Sequence, residues 1–181
     1  MKRTQAIELP EEEIAKQKEW MAAFAALEDR PHTYCVVTYG CQMNAHDSEK
    51  LEGMLTQMGM TPAANREEAD FVIFNTCCVR DNAQRRALGN VVWLKELKKT
   101  RPELMVGVCG CMMQQPGMGE QILKQYPFVD LAFGTHNLYR FAQLMLKAVQ
   151  SRRRVVEVIQ DDDWSGAAPL VYELRPKAWT R

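Results

Sequence analysis

Three apolar stretches of this chain each run into cysteine: Cys35-Val-Val-Thr-Tyr-Gly-Cys41, Phe71-Val-Ile-Phe-Asn-Thr-Cys77-Cys78 and Leu104-Met-Val-Gly-Val-Cys109-Gly-Cys111. Each stretch has the length and composition of a strand buried on both faces, and a helical pattern follows each. Strands that alternate with helices form a parallel sheet with right-handed crossovers. In such a sheet the loops after neighbouring strands gather at one edge. Cysteines remote in sequence would then meet there, and three converging thiolates make a metal site with one position left open.

The rest of the chain keeps the same rhythm. Residues 11–28 are charged and then alanine-rich, a peripheral helix stopped by Pro31. Thr33–Tyr39 is the first strand. Asn44 or Asp47 can cap a helix that runs to about Met58 and ends at Gly59, with Leu51, Met54, Leu55 and Met58 on its apolar face. Asp70–Asn75 is the second strand. Asp81 to Lys99 is a longer helix, with Leu88, Val91, Val92 and Leu97 facing inward. Glu103–Cys109 is the third strand, and a short helix after Gln115-Pro-Gly-Met-Gly119 ends near Gln125. Phe128–Phe133 is the fourth strand. Asn137 to Gln150 is the last helix, with Leu138, Phe141, Leu144, Met145 and Val149 inside, and Arg154–Ile159 adds a fifth strand at an edge. The expected fold is α/β: a mostly parallel open sheet of four or five strands flanked by helices, flavodoxin- or Rossmann-like, with an extra N-terminal helix.

The charges balance: 23 Lys and Arg against 23 Asp and Glu. A self-sufficient nucleic-acid binder carries a basic stripe, so this segment by itself should not hold RNA tightly. The N-terminus has no apolar signal region, and no run approaches the ~20 apolar residues of a membrane span. A cytoplasmic protein without a membrane partner is expected, and its six cysteines should be thiols or ligands rather than disulfides.

The cysteines sort by position. Cys35 starts a strand, at the end away from the loops, and reads as a small buried hydrophobe. Cys109 lies in or at the end of the third strand and reads as core. Cys41, Cys77 and Cys111 lie just past strand ends, and Gly40 and Gly110 directly precede two of them. Cys78 competes with Cys77; spacing favours Cys77 without deciding it. Structural zinc favours close pairs such as C-x-x-C, which are absent. His46 and His136 are candidate fourth ligands but more ordinary as surface or core residues. Iron–sulfur clusters are held by cysteine thiolates, and three ligands on a four-iron cluster leave one iron open. There is no phosphate loop, no G-x-G-x-x-G, no H-E-x-x-H and no nucleophile elbow. Arg152-Arg-Arg154 reads as a solvated helix end. Met112 and Met113 could wall a cluster, although methionines such as these are more often packing.

Tyr39-Gly-Cys41-Gln-Met-Asn44-Ala-His-Asp-Ser48, Asn75-Thr-Cys77-Cys-Val-Arg80 and Gly107-Val-Cys-Gly-Cys111-Met resemble the N-terminal domain of the radical S-adenosylmethionine methylthiotransferases. The likeness runs from about Thr33 to Met145. The Gly-Cys-Gln-Met-Asn form is similar to the MiaB-type, tRNA-modifying branch. The resemblance implies an auxiliary [4Fe-4S] cluster held by Cys41, Cys77 and Cys111. It implies a second [4Fe-4S] cluster and S-adenosylmethionine in a following radical domain, on a C-x-x-x-C-x-x-C motif. The auxiliary cluster would present sulfur, as a methylthio group, to the substrate radical. The implied substrate is isopentenyl-adenosine at tRNA position 37, with tRNA held mainly by the radical and TRAM domains of the same chain. No C-x-x-x-C-x-x-C occurs here. The expectation is therefore a helical extension over 1–30, the cluster-binding domain over 31–160, and a linker over 161–181 towards an absent radical domain. Such a fragment has no catalytic residues of its own and is inactive alone. The alternatives are a relative acting on threonylcarbamoyl-adenosine or on a ribosomal protein, or a cluster-free flavodoxin-like binding module. A structural zinc domain is a third.

Overall fold

The computed structural model describes residues 11–78 and 81–159, with the side chains of residues 81–84 left aside. The expected linker over 161–181 and Arg80 of the second motif lie outside the described residues. The elements are α1 (Glu11–Ala25), β1 (Thr33–Tyr39), α2 (Gln42–Gln57), β2 (Thr61–Pro62), β3 (Phe71–Thr76), α3 (Asp81–Thr100), β4 (Met105–Cys109), α4 (Met118–Gln125), β5 (Leu131–Phe133), α5 (Phe141–Ser151) and β6 (Val155–Glu157). Short 3₁₀ turns occupy Cys111–Gln114 and Thr135–Arg140.

Among the described residues all six strands are parallel, in the order β2-β1-β3-β4-β5-β6. Five of them are the five read from the sequence. The sixth, β2, pairs only Thr61 and Pro62 with the start of β1. A proline is tolerated there because an edge strand has one unpaired side.

Side chains alternate across β3 and so build two cores. Phe71 and Ile73 join Phe24, Leu51, Leu55, Phe133 and Phe141 on the face covered by α1, α2 and α5. Val72 and Phe74 join Val91, Leu94, Val106, Val108 and Ile122 on the face covered by α3 and α4. A strand buried on both sides must be apolar throughout, which is why β3 reads as an unbroken run.

Several helices depart from expectation. α1 is not peripheral: Met21 and Phe24 are buried in the first core. On α3 Val91 and Leu94 are fully buried and Leu88 and Leu97 pack beside them as expected, while Val92 is about half exposed. Arg154 is not a solvated helix end. Its guanidinium donates to the carbonyls of Ile122, Leu123, Tyr126 and Val129, and so ties off the C-terminus of α4. Among the described residues no helix is long and apolar enough to cross a membrane.

The chain leaves β1 for β2 on one side, then crosses back to β3 on the other. The loops after β1 and β3 therefore diverge, and a crevice opens beyond their carboxyl ends. Cys41 follows β1 and Cys77 follows β3, on the two sides of that crevice. Cys111 follows the next strand, β4.

Candidate metal centre

α2 begins earlier than its sequence suggests, because Cys41 caps it. Cys41 has extended backbone at the N-cap, and its sulfur faces the N–H groups of Met43 and Asn44. Asn44 Oδ1 accepts in return from Cys41 N at 3.3 Å. This is a reciprocal cap in which cysteine and asparagine replace the usual hydroxyl and carboxylate. Those backbone donors, with a smaller contribution from the Cys77 side chain, lower the Cys41 thiol below its ordinary value. Cys41 is exposed, so the effect lies in water, at the positive end of a helix.

Two glycines let the strand ends close. Gly40 has φ of +156°, and a Cβ there would sit 2.4 Å from Asn44 Oδ1 and 2.7 Å from Cys77 Cβ. Gly110 has φ of +99°, and its Cβ would meet Asn75 Oδ1 at 2.4 Å and Thr76 O at 2.6 Å. Any other residue would push the three loops apart. Cys77 N donates to Tyr39 O at 2.8 Å, which fastens the end of β3 to the end of β1.

The thiols meet around one carboxamide. Asn44, only 1% exposed, lies between Cys41 and Cys111: its Oδ1 accepts from Cys41 Sγ at 3.4 Å, and its Nδ2 donates to Cys111 Sγ at 3.7 Å. Cys77 completes the group, hydrogen-bonded to Cys41 and close enough for its charge to act on Cys111. Burial raises the Cys111 thiol. The Cys78 N–H and the Asn44 side chain oppose that rise, and the Cys77 and Cys78 sulfurs add to it. Cys77 thus faces both other thiols, whereas Cys78 touches the group through Cys111.

The remaining cysteines stand apart. Cys109 ends β4, is 2% exposed, and burial, then Asp47 and Cys111, push its thiol well up. Cys35, which pairs with Val72, is only partly buried rather than a core residue, because β1 is less covered than β3; that partial burial still raises its thiol. All six cysteines are free thiols. His46 faces Glu49 at 3.6 Å on the surface of α2. Met112 and Met113 are fully buried in the α3/α4 core and act as packing. Among the described residues no three Cys, His, Asp or Glu side chains form a ready-made group around a single metal ion.

Sequence reading missed the support beneath the thiols. Asn75, at the end of β3, donates to Asn44 O at 2.8 Å and to Ser48 Oγ at 3.0 Å, and Ser48 meets Thr38 Oγ1 at 2.7 Å. The available signal was a polar Asn75 following four apolar residues near the end of β3.

The chain matches the model of the family described as Uncharacterized protein family UPF0004 over residues 33–134. Among curated proteins it is 52% identical over 131 residues to one from Caldicellulosiruptor saccharolyticus, covering 72% of this chain and 28% of that one. It is 46% identical over 177 residues to one from Acetivibrio thermocellus, covering 93% and 37%. It is 47% identical over 175 residues to one from Thermoanaerobacter sp. (strain X514), covering 96% and 37%. All three bear the name tRNA-2-methylthio-N(6)-dimethylallyladenosine synthase, and the chain spans about a third of their length. The chain belongs to the UPF0004 family, and is the counterpart of the N-terminal domain of those methylthiotransferases.

Proposed function

We propose that this domain holds an auxiliary [4Fe-4S] cluster on Cys41, Cys77 and Cys111 and serves the 2-methylthiolation of isopentenyl-adenosine at tRNA position 37. One observation carries the reading: thiols from the loops after β1, β3 and β4 meet around Asn44 at the strand-order switch. The donor set fits the group. It is all sulfur, as iron–sulfur clusters require. Gly40 and Gly110 remove the side chains that would fill the loop junction. Structural zinc usually takes four ligands in close pairs such as C-x-x-C, which this sequence lacks, and that speaks for a cluster rather than zinc. Bound there, the cluster would supply the sulfur that becomes the methylthio group.

The chain's own residues do the holding. The N-terminus of α2 favours Cys41 as thiolate, the form that ligates metal. The exposure of Cys41 and of Met43, which is 65% exposed, leaves that side of the site open to a substrate or a neighbouring domain. The radical step, S-adenosylmethionine, the second cluster and most tRNA contacts belong in this reading to the radical and TRAM domains of a longer cytoplasmic protein.

The test has two stages. Anaerobic loading of this chain with iron and sulfide should give a brown protein with about four irons. The full-length protein should restore 2-methylthio nucleosides, read by mass spectrometry of tRNA digests, in cells lacking their own enzyme, and a Cys77→Ala version should not. A full-length Cys77→Ala protein that restores them at the wild-type level defeats the reading.

A further inference from the structure

Asn44 is held at both ends of its carboxamide, and the orientation has only one solution. Asn75 spends both Nδ2 hydrogens on Asn44 O and Ser48 Oγ, at 2.8 and 3.0 Å. Its Oδ1 is left as an acceptor, and Asn44 Nδ2 meets it at 3.1 Å. At the other end, Cys41 N–H needs an acceptor and finds Asn44 Oδ1 at 3.3 Å. Flipping the Asn44 amide would set oxygen against oxygen and N–H against N–H. With one Nδ2 hydrogen committed to Asn75, the other points at Cys111 Sγ, 3.7 Å away. Asn44 and Asn75 are each 1% exposed and Ser48 is 5% exposed, so water cannot replace these bonds.

A buried asparagine that only joined a helix to a strand would aim its amide at oxygens. This one aims an N–H at sulfur, and at one sulfur of the three. We infer that Asn44 is a positioning residue that donates a hydrogen bond to the Cys111 ligand sulfur and so tunes the reduction potential and retention of the cluster. The inference rests on the cluster assignment above. A thiolate is a better acceptor than a thiol, so the bond strengthens once Cys111 ligates. Hydrogen bonds to cluster sulfurs raise the reduction potential, and outer partners of ligands commonly matter 10- to 100-fold for affinity. Asn75 acts one step back, by fixing the direction of Asn44.

The experiment compares the wild-type chain with Asn44→Ala and Asn44→Leu, the second of which keeps the space filled without a donor or a charge. Each is loaded anaerobically with ferrous iron and sulfide, then followed by chelator competition and by redox titration. Thermal melting of the unloaded chains monitors folding. Both variants should lose iron about 10- to 100-fold faster, and their reduction midpoints should move to more negative potential. Leu123→Ala, at an exposed position on α4 outside the thiol group, should behave as wild type. Faster iron loss with an unchanged midpoint would reduce Asn44 to a packing role and overturn the inference. If the wild type loads and both variants match it, the inference falls while the cluster assignment stands. If the wild type takes up no iron and sulfide, both fall.

Discussion

The two ends of one parallel sheet are built from different chemistry. At the amino ends of the strands, charged side chains tie loops to backbone. Asp70 accepts from the N–H groups of His32 and Thr33 and pairs with Arg101 at 3.1 Å. Asp130 pairs with Lys98 and accepts from Val106 N, and Arg154 serves four carbonyls. At the carboxyl ends of β1, β3 and β4 thiols, carboxamides and glycines are closely fitted, and the charges nearby, Asp47 with Lys50 and Glu157 with Arg140, stand around them rather than among them. The larger cavity, about 740 Å³, lies at the charged end, with Asp70, Lys98, Asp130 and Arg154 in its wall. Beside Cys109 at the other end there is a cavity of about 10 Å³, room for a single water. Volume therefore does not single out the thiol end. Charges whose partners are already in place lock a fold; at the thiol end the proposed cluster would be the partner that the sulfurs share.

The contrast can be broken at either end, and the largest effect belongs to the glycines. Gly110→Ala forces a Cβ onto Asn75 and the Thr76 backbone at positive φ, so it should cost about 2–5 kcal/mol in chemical denaturation and lower iron uptake as well. At the charged end, Arg154→Ala removes the guanidinium from four carbonyls, of which Ile122 O and Tyr126 O keep a backbone N–H. Its expected cost is about 1–3 kcal/mol, with iron uptake unchanged in the protein that remains folded. An Arg154→Ala chain that folds well but fails to load would erase the distinction between the two ends.

The division also explains what could be read in advance. β3 and β4 were legible because doubly buried strands must be apolar; β1, where only Tyr34 is fully buried, was legible instead from its β-branched and aromatic residues, and the inner face of α2 because Leu51, Met54, Leu55 and Met58 follow helical spacing. The loop cysteines were legible because strand alternation fixes where loops go. The start of α2 was not, since a cysteine cap carries no familiar signature. β2 is two residues and holds a proline. The outward turn of Val92 depends on which face of α3 meets the sheet, a tertiary choice that composition does not encode. Asn75 looked like the end of a strand; its task appears only when Asn44, 31 residues earlier, is brought beside it.

Smaller effects sharpen the comparison through pH. Burial pushes the Asp70 carboxyl up, but the His32 and Thr33 donors and Arg101 outweigh it and hold the group below the ordinary carboxylate value. A carboxyl lowered on folding stabilises at pH above its unfolded value, and that gain disappears as pH falls through the folded one. Wild type should therefore exceed Asp70→Asn by on the order of 1 kcal/mol near neutrality, after discounting for solvent screening, and the gap should close in acid. A gap that widens in acid contradicts the assignment. At the thiol end the smallest effect is kinetic. In the metal-free chain, Cys41 should be alkylated first and reach half its maximal rate at lower pH than an ordinary thiol, with Cys35 and Cys109 reacting last. Peptide mass mapping across a pH series reads this order directly.

The central claim is that Cys41, Cys77 and Cys111 act as one ligand set. Iron and acid-labile sulfide should be counted in the anaerobically loaded chain and in six single Cys→Ala variants. The account predicts about four of each in wild type, Cys35→Ala, Cys78→Ala and Cys109→Ala, and a collapse in Cys41→Ala, Cys77→Ala and Cys111→Ala. Equal loss across all six, or full loading without Cys77, would contradict it.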